Sequence, residues 1–434
     1  MDVFSNLEAL IRDAGLSMPS KKTKFMLVGT HTHQTTGYSK VTYHIIQELA
    51  KNPAIELYHF GFQKFMVSPQ GYRDYPTGVD VYDCAAAEVK GEYPAESGFG
   101  YSQLPHYIKR VKPDVIMIYN DAGVICKFLD KIAENLTEEE RAAYKLLIYL
   151  DQVYITQRPD LMTKIDAAAT AYFAFTDYWR DILKSHGTTK PIYVMRHGFN
   201  PEQFKSLDKL TVRRKIGIPD NMFLMLNLNR NTPRKRHDIV VTAFAELVAR
   251  HPTKPLALMC VCDLGENGGY PIQEIYFREL TRRKIPLQFH AHKLMISRES
   301  MKFTDEFINE LYSASDIGVT AADGEGFGLC QFEAMGVGIP QVVPNIGGFR
   351  DFCKNGVNSI TVEPVTRNYI SYALGALGGV SELIDAIDLA NAIEEYLFDS
   401  SLRQKHGEAA KNTVLTYDWS KEISVLSNVI LGYE

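Results

Sequence analysis

The chain has 434 residues, of which 45% are hydrophobic and 23% are charged. This is the balance of a globular protein, so a disordered or fibrous chain is excluded. The length exceeds one ordinary core and predicts two domains, with three as the other option. The formal net charge of −5 argues against a dedicated nucleic-acid binder, which normally carries a basic excess.

Cysteine usage and the N-terminus indicate an intracellular protein. Among the six cysteines, Cys260 and Cys262 form a C-x-C rather than the C-x2-C pairs of a zinc site. Nothing requires an oxidising compartment, and the first residues lack the pattern of a signal peptide. No run reaches the roughly 18 apolar residues of a membrane span. A cytoplasmic protein without a membrane span is therefore expected.

Short apolar runs alternate with amphipathic helices in the first half of the chain. The predicted strands are residues 24–30, 55–62, 114–120, 145–151, 172–176 and 192–198. Runs this rich in Val, Ile and aromatic residues suit parallel strands that are buried on both faces. One helix is predicted over 39–51, where Val41, Ile45 and Leu49 recur with a helical period, and another just before Gly187.

The second half repeats this rhythm. Its predicted strands are residues 223–229, 255–263, 285–292, 316–321 and 340–345. Between the first two, Val240, Phe244, Leu247 and Val248 form one apolar face of a helix. Such alternation predicts an α/β fold of two Rossmann-like, doubly wound domains that face each other across a cleft. Ligands in such sheets bind beyond the carboxyl ends of the strands.

Three segments do not follow this rhythm. The polar stretch 199–215 carries no strand signal and separates the two series. Residues 66–105 are rich in Gly, Pro and Tyr and are predicted to form long loops. Residues 364–381, with three glycines, receive no structural assignment.

The most informative segment is residues 323–340, DGEGFGLCQFEAMGVGIP, which follows a predicted strand. A helix is expected to begin near Leu329, so that its free N–H groups and positive dipole end form a receptor for phosphate. Gly326 and Gly328 permit the backbone to approach a ligand closely. Glu325 and Glu333 could then reach different ends of one elongated ligand. The alternative is an ordinary strand–loop–helix with a glutamate in its first turns.

A basic turn, NLNRNTPRKRHD (227–238), follows the strand 223–229. Arg230 and Lys235 lie at the carboxyl end of that strand, at the same edge as the Glu325 loop. Two cations there could neutralise a diphosphate, each charge-assisted hydrogen bond contributing about 1.5–3 kcal/mol. The alternative is a solvated basic turn, and this is the interpretation for Arg234 or Arg236.

The loop after the first strand, GTHTHQTTGYSKV (29–41), lacks the G-x-G-x-x-G of a dinucleotide-binding domain, which argues against an NAD enzyme. Gly37 precedes a helix and could let backbone N–H groups meet a phosphate or an acceptor. His31 and His33 are interpreted as polar loop residues rather than metal ligands.

The pattern E-G-F-G-L-x-x-x-E-A-M-x-x-G-x-P, preceded by L-Y-S-A-S-D and followed by Gly347-Gly348, resembles the retaining glycosyltransferases of family 4. That family has the GT-B fold and belongs to the glycogen-synthase-like E-x7-E superfamily. Arg230 and Lys235 fall where the family keeps its diphosphate-binding Arg and Lys. Residues 175–187 and 192–204 resemble its last first-domain helix, strand and crossover.

The resemblance implies an acceptor-binding domain over 1–205, a nucleotide-sugar-binding domain over 206–412, and a helix over 413–434 that returns to the first domain. It implies an enzyme of carbohydrate biosynthesis that transfers a hexose, with retention, from a nucleotide-diphosphate sugar to a hydroxyl of a glycan, lipid or other acceptor. No metal or other cofactor is expected. The motif N-x-N-R-N-x-x-R-K is similar to that of family members that use GDP-mannose, and a UDP-hexose is the other candidate donor.

The resemblance also implies roles for single residues. Glu333 would accept hydrogen bonds from the ribose hydroxyls, Glu325 would hold hydroxyls of the transferred sugar, and Arg230 and Lys235 would hold the diphosphate. Backbone at three positions would contact sugar and phosphate: Phe327, Gly328 and Leu329. The nucleotide base would be met by backbone near three others: His292, Lys293 and Leu294. Asp151 stands where many members have a sugar-facing His.

Two kinds of alternative remain open at the level of the sequence. One is a nucleotide-sugar epimerase or an inverting GT-B enzyme, both of which lack the Glu325 and Glu333 arrangement. The other is a catalytically silent GT-B scaffold that only binds a partner. Loss of either glutamate, Arg230 or Lys235 would mark such a scaffold, and all four residues are present.

Overall fold

A computed structural model describes residues 22–64, 73–264, 268–297, 303–371 and 377–433. Within these residues the chain forms two parallel sheets, one of seven strands and one of six, and a separate two-stranded antiparallel sheet. The predicted series of strands and helices therefore divides into two doubly wound domains.

The first domain is built around the seven-stranded sheet, in the order β3-β2-β1-β4-β5-β6-β7. Its strands are β1 (Thr23–Thr30), β2 (Ile55–Phe62), β3 (Asp80–Asp83), β4 (Val115–Asp121), β5 (Lys145–Asp151), β6 (Ala171–Ala174) and β7 (Ile192–Val194). Its helices are α1 (Gly37–Leu49), α2 (Cys84–Val89), α3 (Leu104–Val111), α4 (Ala122–Asn135), α5 (Glu138–Ala142), α6 (Pro159–Ala168) and α7 (Asp177–Ser185). The central strand β1 is buried on both faces, as the continuous apolar run predicts.

The second domain is built around the six-stranded sheet, in the order β10-β9-β8-β11-β12-β13. Its strands are β8 (Phe223–Leu228), β9 (Leu256–Val261), β10 (Leu294–Ser297), β11 (Ile317–Val319), β12 (Gln341–Pro344) and β13 (Ser359–Val362), with a hairpin of β14 (Thr366–Ile370) and β15 (Gly379–Leu383). The helices that follow the first domain are α8 (Lys209–Ile216), α9 (His237–Arg250), α10 (Ile272–Arg282), α11 (Leu287–His290), α12 (Asp305–Ala314), α13 (Leu329–Val337), α14 (Phe349–Phe352), α15 (Ala386–Phe398), α16 (Ser400–Val414) and α17 (Trp419–Leu431).

The strand order of each large sheet reverses beside its first strand, which creates a topological switch point. In the second sheet β8 pairs with both β9 and β11, so the loops after β8 and β11 diverge to opposite faces. A crevice opens at such a point beyond the carboxyl ends of the strands, where ligands bind in doubly wound sheets. The basic turn follows β8 and the Glu325 loop follows β11, so both border this crevice.

Two sequence predictions need correction, and a segment that received no assignment from the sequence is assigned by the structure. The strand predicted over 285–292 is α11 and a short 3-10 helix, and the strand is β10, further along the chain. Pro286 lacks the N–H of a ladder and suits a helix start, and Phe289 is 64% exposed. The predicted loops of 66–105 contain β3, α2 and part of α3, although 65–72 lie outside the described residues. Within 364–381, residues 366–370 and 379–381 belong to the strands of the hairpin β14–β15, and 372–376 also lie outside the described residues.

The chain crosses between the domains twice at nearly the same place. The Phe199 N–H donates to the Tyr417 carbonyl at 2.8 Å, which joins the outgoing and returning segments. After the return, α17 packs against α1, with the Trp419 ring stacked on His44 at 4.5 Å between centroids. Gly198 permits this approach, because a Cβ there would lie 2.5 Å from the Trp419 backbone nitrogen.

Candidate functional site

The loop after β11 carries Glu325 and leads into α13. Gly328 precedes the helix with φ of +97°, and a Cβ there would lie 2.3 Å from the Phe349 ring, so the position requires glycine. The helix begins at Leu329, as the sequence predicts, and Glu333 lies just over one turn inside it. The backbone of Phe327, Gly328 and Leu329 thus forms the N-terminus of α13 at the switch point.

Glu325 is buried between two cations of the basic turn. The residue is 7% exposed, and its carboxylate forms an ion pair with Lys235 and lies 3.3 Å from the Arg234 guanidinium. Burial opposes its ionisation, but the charges of Lys235 and Arg234 outweigh burial and hold the pKa of Glu325 below its usual value. The predicted meeting of Lys235 with the Glu325 loop therefore occurs, and the carboxylate is ionised.

Glu333 is buried against the first domain. The residue is 5% exposed, Oε1 lies 2.5 Å from the ammonium of Lys40, and Oε2 accepts a hydrogen bond from the Tyr312 hydroxyl at 3.2 Å. Burial raises the pKa of Glu333, and the charge of Lys40 offsets part of this rise. Lys40 belongs to α1, so an ion pair across the cleft occupies this carboxylate.

Asp151 ends β5 and reaches the Glu325 loop from the first domain. Tyr38 donates a hydrogen bond to Oδ2, whereas Oδ1 has no hydrogen-bond partner among the described residues. A Cβ on Gly326 would lie 2.0 Å from Oδ1, so the glycine lets the two domains meet here. Burial raises the pKa of Asp151 to about 6. The structure thus brings Asp151 into contact with the Glu325 loop.

Further contacts join the domains around these residues. The Trp179 indole N–H donates to the Gly326 carbonyl at 2.7 Å, and the Tyr154 hydroxyl donates to Asp323 at 3.0 Å. Gly37 begins α1, and a Cβ there would lie 3.6 Å from the Leu329 side chain. The N-termini of α1 and α13 therefore face each other, and the cleft is closed at both glutamates.

Arg230 does not join this group. Its side chain is exposed and forms no ion pair within the described ranges, while its carbonyl accepts a hydrogen bond from the His237 ring at 3.1 Å. The interpretation of Arg234 as a solvated residue is wrong, because its side chain is only 22% exposed, donates to the Gly324 carbonyl and forms an ion pair with Glu325. The short 3-10 turn Pro233–Lys235 directs Arg234 and Lys235 toward Glu325. The four cations of the basic turn carry the same charge, so the sequence alone does not indicate which of them contact Glu325.

His292, Lys293 and Leu294 lie at the opposite edge of the sheet. Leu294 begins β10, and the Lys293 ammonium donates to the carbonyls of Pro252 and Lys254, which precede β9. The structure therefore does not bring these three residues to the glutamates. The error follows from the misplaced strand, because the carboxyl end of β10 leads instead to residues 298–302, which lie outside the described residues.

Sequence reasoning missed several side chains that contact Glu333 or Asp151. Lys40 and Tyr38 lie within the motif examined for Gly37, and Tyr312 lies within L-Y-S-A-S-D, but no local pattern marks them as partners. Among the residues that the structure describes, no group of three or more His, Cys, Asp or Glu side chains is arranged to hold a metal ion. Nor does any helix in those ranges have the length and apolarity that crossing a membrane requires.

The chain is similar in sequence and in fold to known glycosyltransferases. Residues 208–374 match the family of glycosyl transferases group 1. An uncharacterized glycosyltransferase of Methanocaldococcus jannaschii is 25% identical over 239 residues, which are 54% of this chain and 55% of that protein. A D-inositol 3-phosphate glycosyltransferase of Thermobispora bispora is 25% identical over 181 residues, 41% of this chain and 40% of that protein. The chain thus spans about half the length, or less, of these relatives.

Two solved structures cover almost the whole chain. Sucrose-phosphate synthase from Thermosynechococcus elongatus has a TM-score of 0.72 at 14% identity, covering 95% of this chain and 99% of that one. Anabaena HepE in complex with UDP and glucose has a TM-score of 0.67 at 16% identity, covering 94% and 100%. The fold is GT-B. This confirms the fold class predicted from the sequence, and the match to group 1 falls on the GT-B domain that carries Glu325 and Glu333.

Proposed function

We propose that the protein is a retaining glycosyltransferase that moves a hexose from a nucleotide-diphosphate sugar to an acceptor hydroxyl. The observation that carries this proposal is the placement of Glu325 and Glu333 on one loop and helix start at the GT-B switch point. One carboxylate is paired with Lys235 and the other with Lys40. The family match of this domain supports the same class of enzyme.

The donor would lie along the N-terminus of α13. Glu333 would accept the ribose hydroxyls, Glu325 would hold the transferred sugar, and the diphosphate would lie between them, near Lys235 and the free N–H groups of the helix. Arg230 is exposed at the same edge and could swing onto the phosphates. Fixed positive charge there stabilises the leaving diphosphate as the glycosidic bond breaks.

The acceptor would enter from the first domain, beside Asp151. The unpartnered Oδ1 of Asp151 is buried against Gly326, next to the expected position of the sugar. A buried acceptor atom without a hydrogen bond costs free energy that a ligand hydroxyl would recover. In retaining transfer the leaving phosphate oxygen takes the acceptor proton on the same face, so the anomeric configuration is kept and no separate base is required.

The nucleotide is open between two candidates. The sequence motif of the basic turn favours GDP-mannose, whereas HepE, which shares the fold, was solved with UDP and UDP-glucose. A thermal-shift panel of UDP-, GDP- and ADP-sugars would decide. A ligand at a hundred times its Kd stabilises the native protein by about 2.7 kcal/mol, and a non-binding nucleotide produces no shift.

Two further measurements test the chemistry. NMR of the product from the donor identified by the panel should show the anomeric configuration of the donor, and inversion would reject the retaining mechanism. Turnover should survive EDTA, because lysine charges and the α13 N-terminus serve the diphosphate. Loss of activity on chelation, restored by Mn²⁺ or Mg²⁺, would reject metal independence.

Glu333→Ala should weaken nucleotide binding by about 1.5–3 kcal/mol.

A further inference from the structure

The Glu333 carboxylate has no room for a ribose in this conformation. Oε1 is paired with Lys40 at 2.5 Å, Oε2 is hydrogen-bonded to Tyr312, and only 5% of the residue is exposed. A ribose brings several non-hydrogen atoms to the carboxylate that holds its hydroxyls. One of the groups now touching Glu333 must therefore move before a nucleotide can bind there.

Lys40 is better suited to move than Tyr312. Tyr312 belongs to α12 of the same domain and is fully buried, with its ring packed near Phe204. Lys40 has a flexible stem and comes from the other domain. It also has a second acidic partner, because its ammonium lies 3.0 Å from Asp305. Lys40 can therefore leave Glu333 without becoming a buried unpaired charge, which would be costly.

The Asp305 carboxylate is positioned to hold the Lys40 ammonium after it leaves Glu333. Its carboxylate already accepts hydrogen bonds from the Arg73 guanidinium at 3.1 Å and the Gln203 amide at 2.6 Å. Burial opposes its ionisation, but Lys40 and Arg73 outweigh burial and hold the pKa of Asp305 well below its usual value. The acceptor for the displaced ammonium is therefore ionised and fixed in place.

We propose that Lys40 is a built-in competitor of the nucleotide: it occupies Glu333 in the ligand-free protein, and ribose binding displaces it onto Asp305. This inference rests on the proposed function, because it requires Glu333 to be the ribose acceptor. The apparent association constant of the nucleotide is then the intrinsic constant multiplied by the fraction of molecules in which Lys40 does not hold Glu333. It also couples donor entry to the contact between the two domains.

Calorimetric titration of UDP and GDP into the wild type and Lys40→Met tests the proposal. The titration is carried out at about pH 8, because burial raises the pKa of Glu333 and a higher pH favours its carboxylate form. If Lys40 holds Glu333 nine-tenths of the time, the variant binds about tenfold more tightly. Lys51→Met is the matched control, because Lys51 pairs with Glu48 on the surface after α1. This control should bind the nucleotide as the wild type does.

A second background separates competition from other effects. In Glu333→Gln protein, Lys40→Met should bring no gain in affinity, because the contested carboxylate is absent. If Lys40→Met does not fold, Lys40→Gln replaces it. Unchanged or weaker affinity in the folded Lys40 variant, beside a wild type that binds nucleotide, would overturn this inference alone. Absence of UDP and GDP binding in every protein would reject the proposed function as well.

Discussion

The Asp151 carboxyl is expected to destabilise the ligand-free protein at neutral pH. Burial raises its pKa from 3.8 to about 6, although Tyr38 and Arg234 favour the ionised form. A carboxyl whose folded pKa exceeds its unfolded pKa is held more favourably when protonated, so its contribution to stability falls as the pH rises through this window. The loss is about 1 kcal/mol from pH 5 to pH 7, and about 2 kcal/mol from pH 4 to pH 7.

Asp151→Asn removes this titration and keeps a hydrogen-bond acceptor for Tyr38. The free energy of unfolding of the variant, minus that of the wild type, should therefore fall by about 1 kcal/mol between pH 7 and pH 5. The amide N–H that replaces the unpartnered oxygen costs about 1–3 kcal/mol at every pH. That cost shifts the difference in free energy of unfolding by the same amount at every pH. The prediction therefore concerns the slope of this difference against pH and not its absolute value.

Urea unfolding of both proteins at several pH values, without ligand, provides the measurement. Burial lowers the pKa of His44 and of His197 to about 3, so acidification below the unfolded histidine pKa destabilises both proteins equally and cancels in the difference. Asp323→Asn should give a similar slope, because burial also raises the pKa of Asp323 to about 6. A difference curve that is flat, or that rises on acidification, would refute the reasoning.

Three other substitutions test the site and the contact between the domains. Lys235→Met should lower turnover by about a hundredfold or more, because Glu325 loses its ion pair and the leaving diphosphate loses a fixed cation. Arg230→Met should also lower turnover while leaving thermal stability unchanged. Activity within twofold of the wild type in both variants would mean that neither cation serves the diphosphate. Gly198→Ala should lower stability by about 1–3 kcal/mol, since its Cβ would meet the Trp419 backbone at 2.5 Å. Equal unfolding midpoints in urea would contradict that contact.

The elements that carry the site were readable from the sequence because their signals are local. The apolar run of β1 and the helical spacing of Val240 and Phe244 report burial of neighbouring residues in the same element. Gly328 marks the start of α13 because only glycine adopts its backbone conformation without strain there. The prediction of a strand over 285–292 was wrong, since a short apolar–polar alternation does not distinguish a strand from one helical turn. The residues predicted to contact the base, His292 to Leu294, therefore lie at the other edge of the sheet.

Which side chains meet was decided only by the tertiary structure. Lys40 and Glu333 are 293 residues apart, and no periodicity links them. The choice between Arg230 and Arg234 as the partner of Glu325 depends on how the 3-10 turn directs each side chain, which identical charges in a row do not reveal. Local sequence fixes the backbone of each element through short-range sterics and burial. The pairing of charges across a cleft depends instead on how two independently formed sheets pack, and that is set by contacts between residues far apart in the chain.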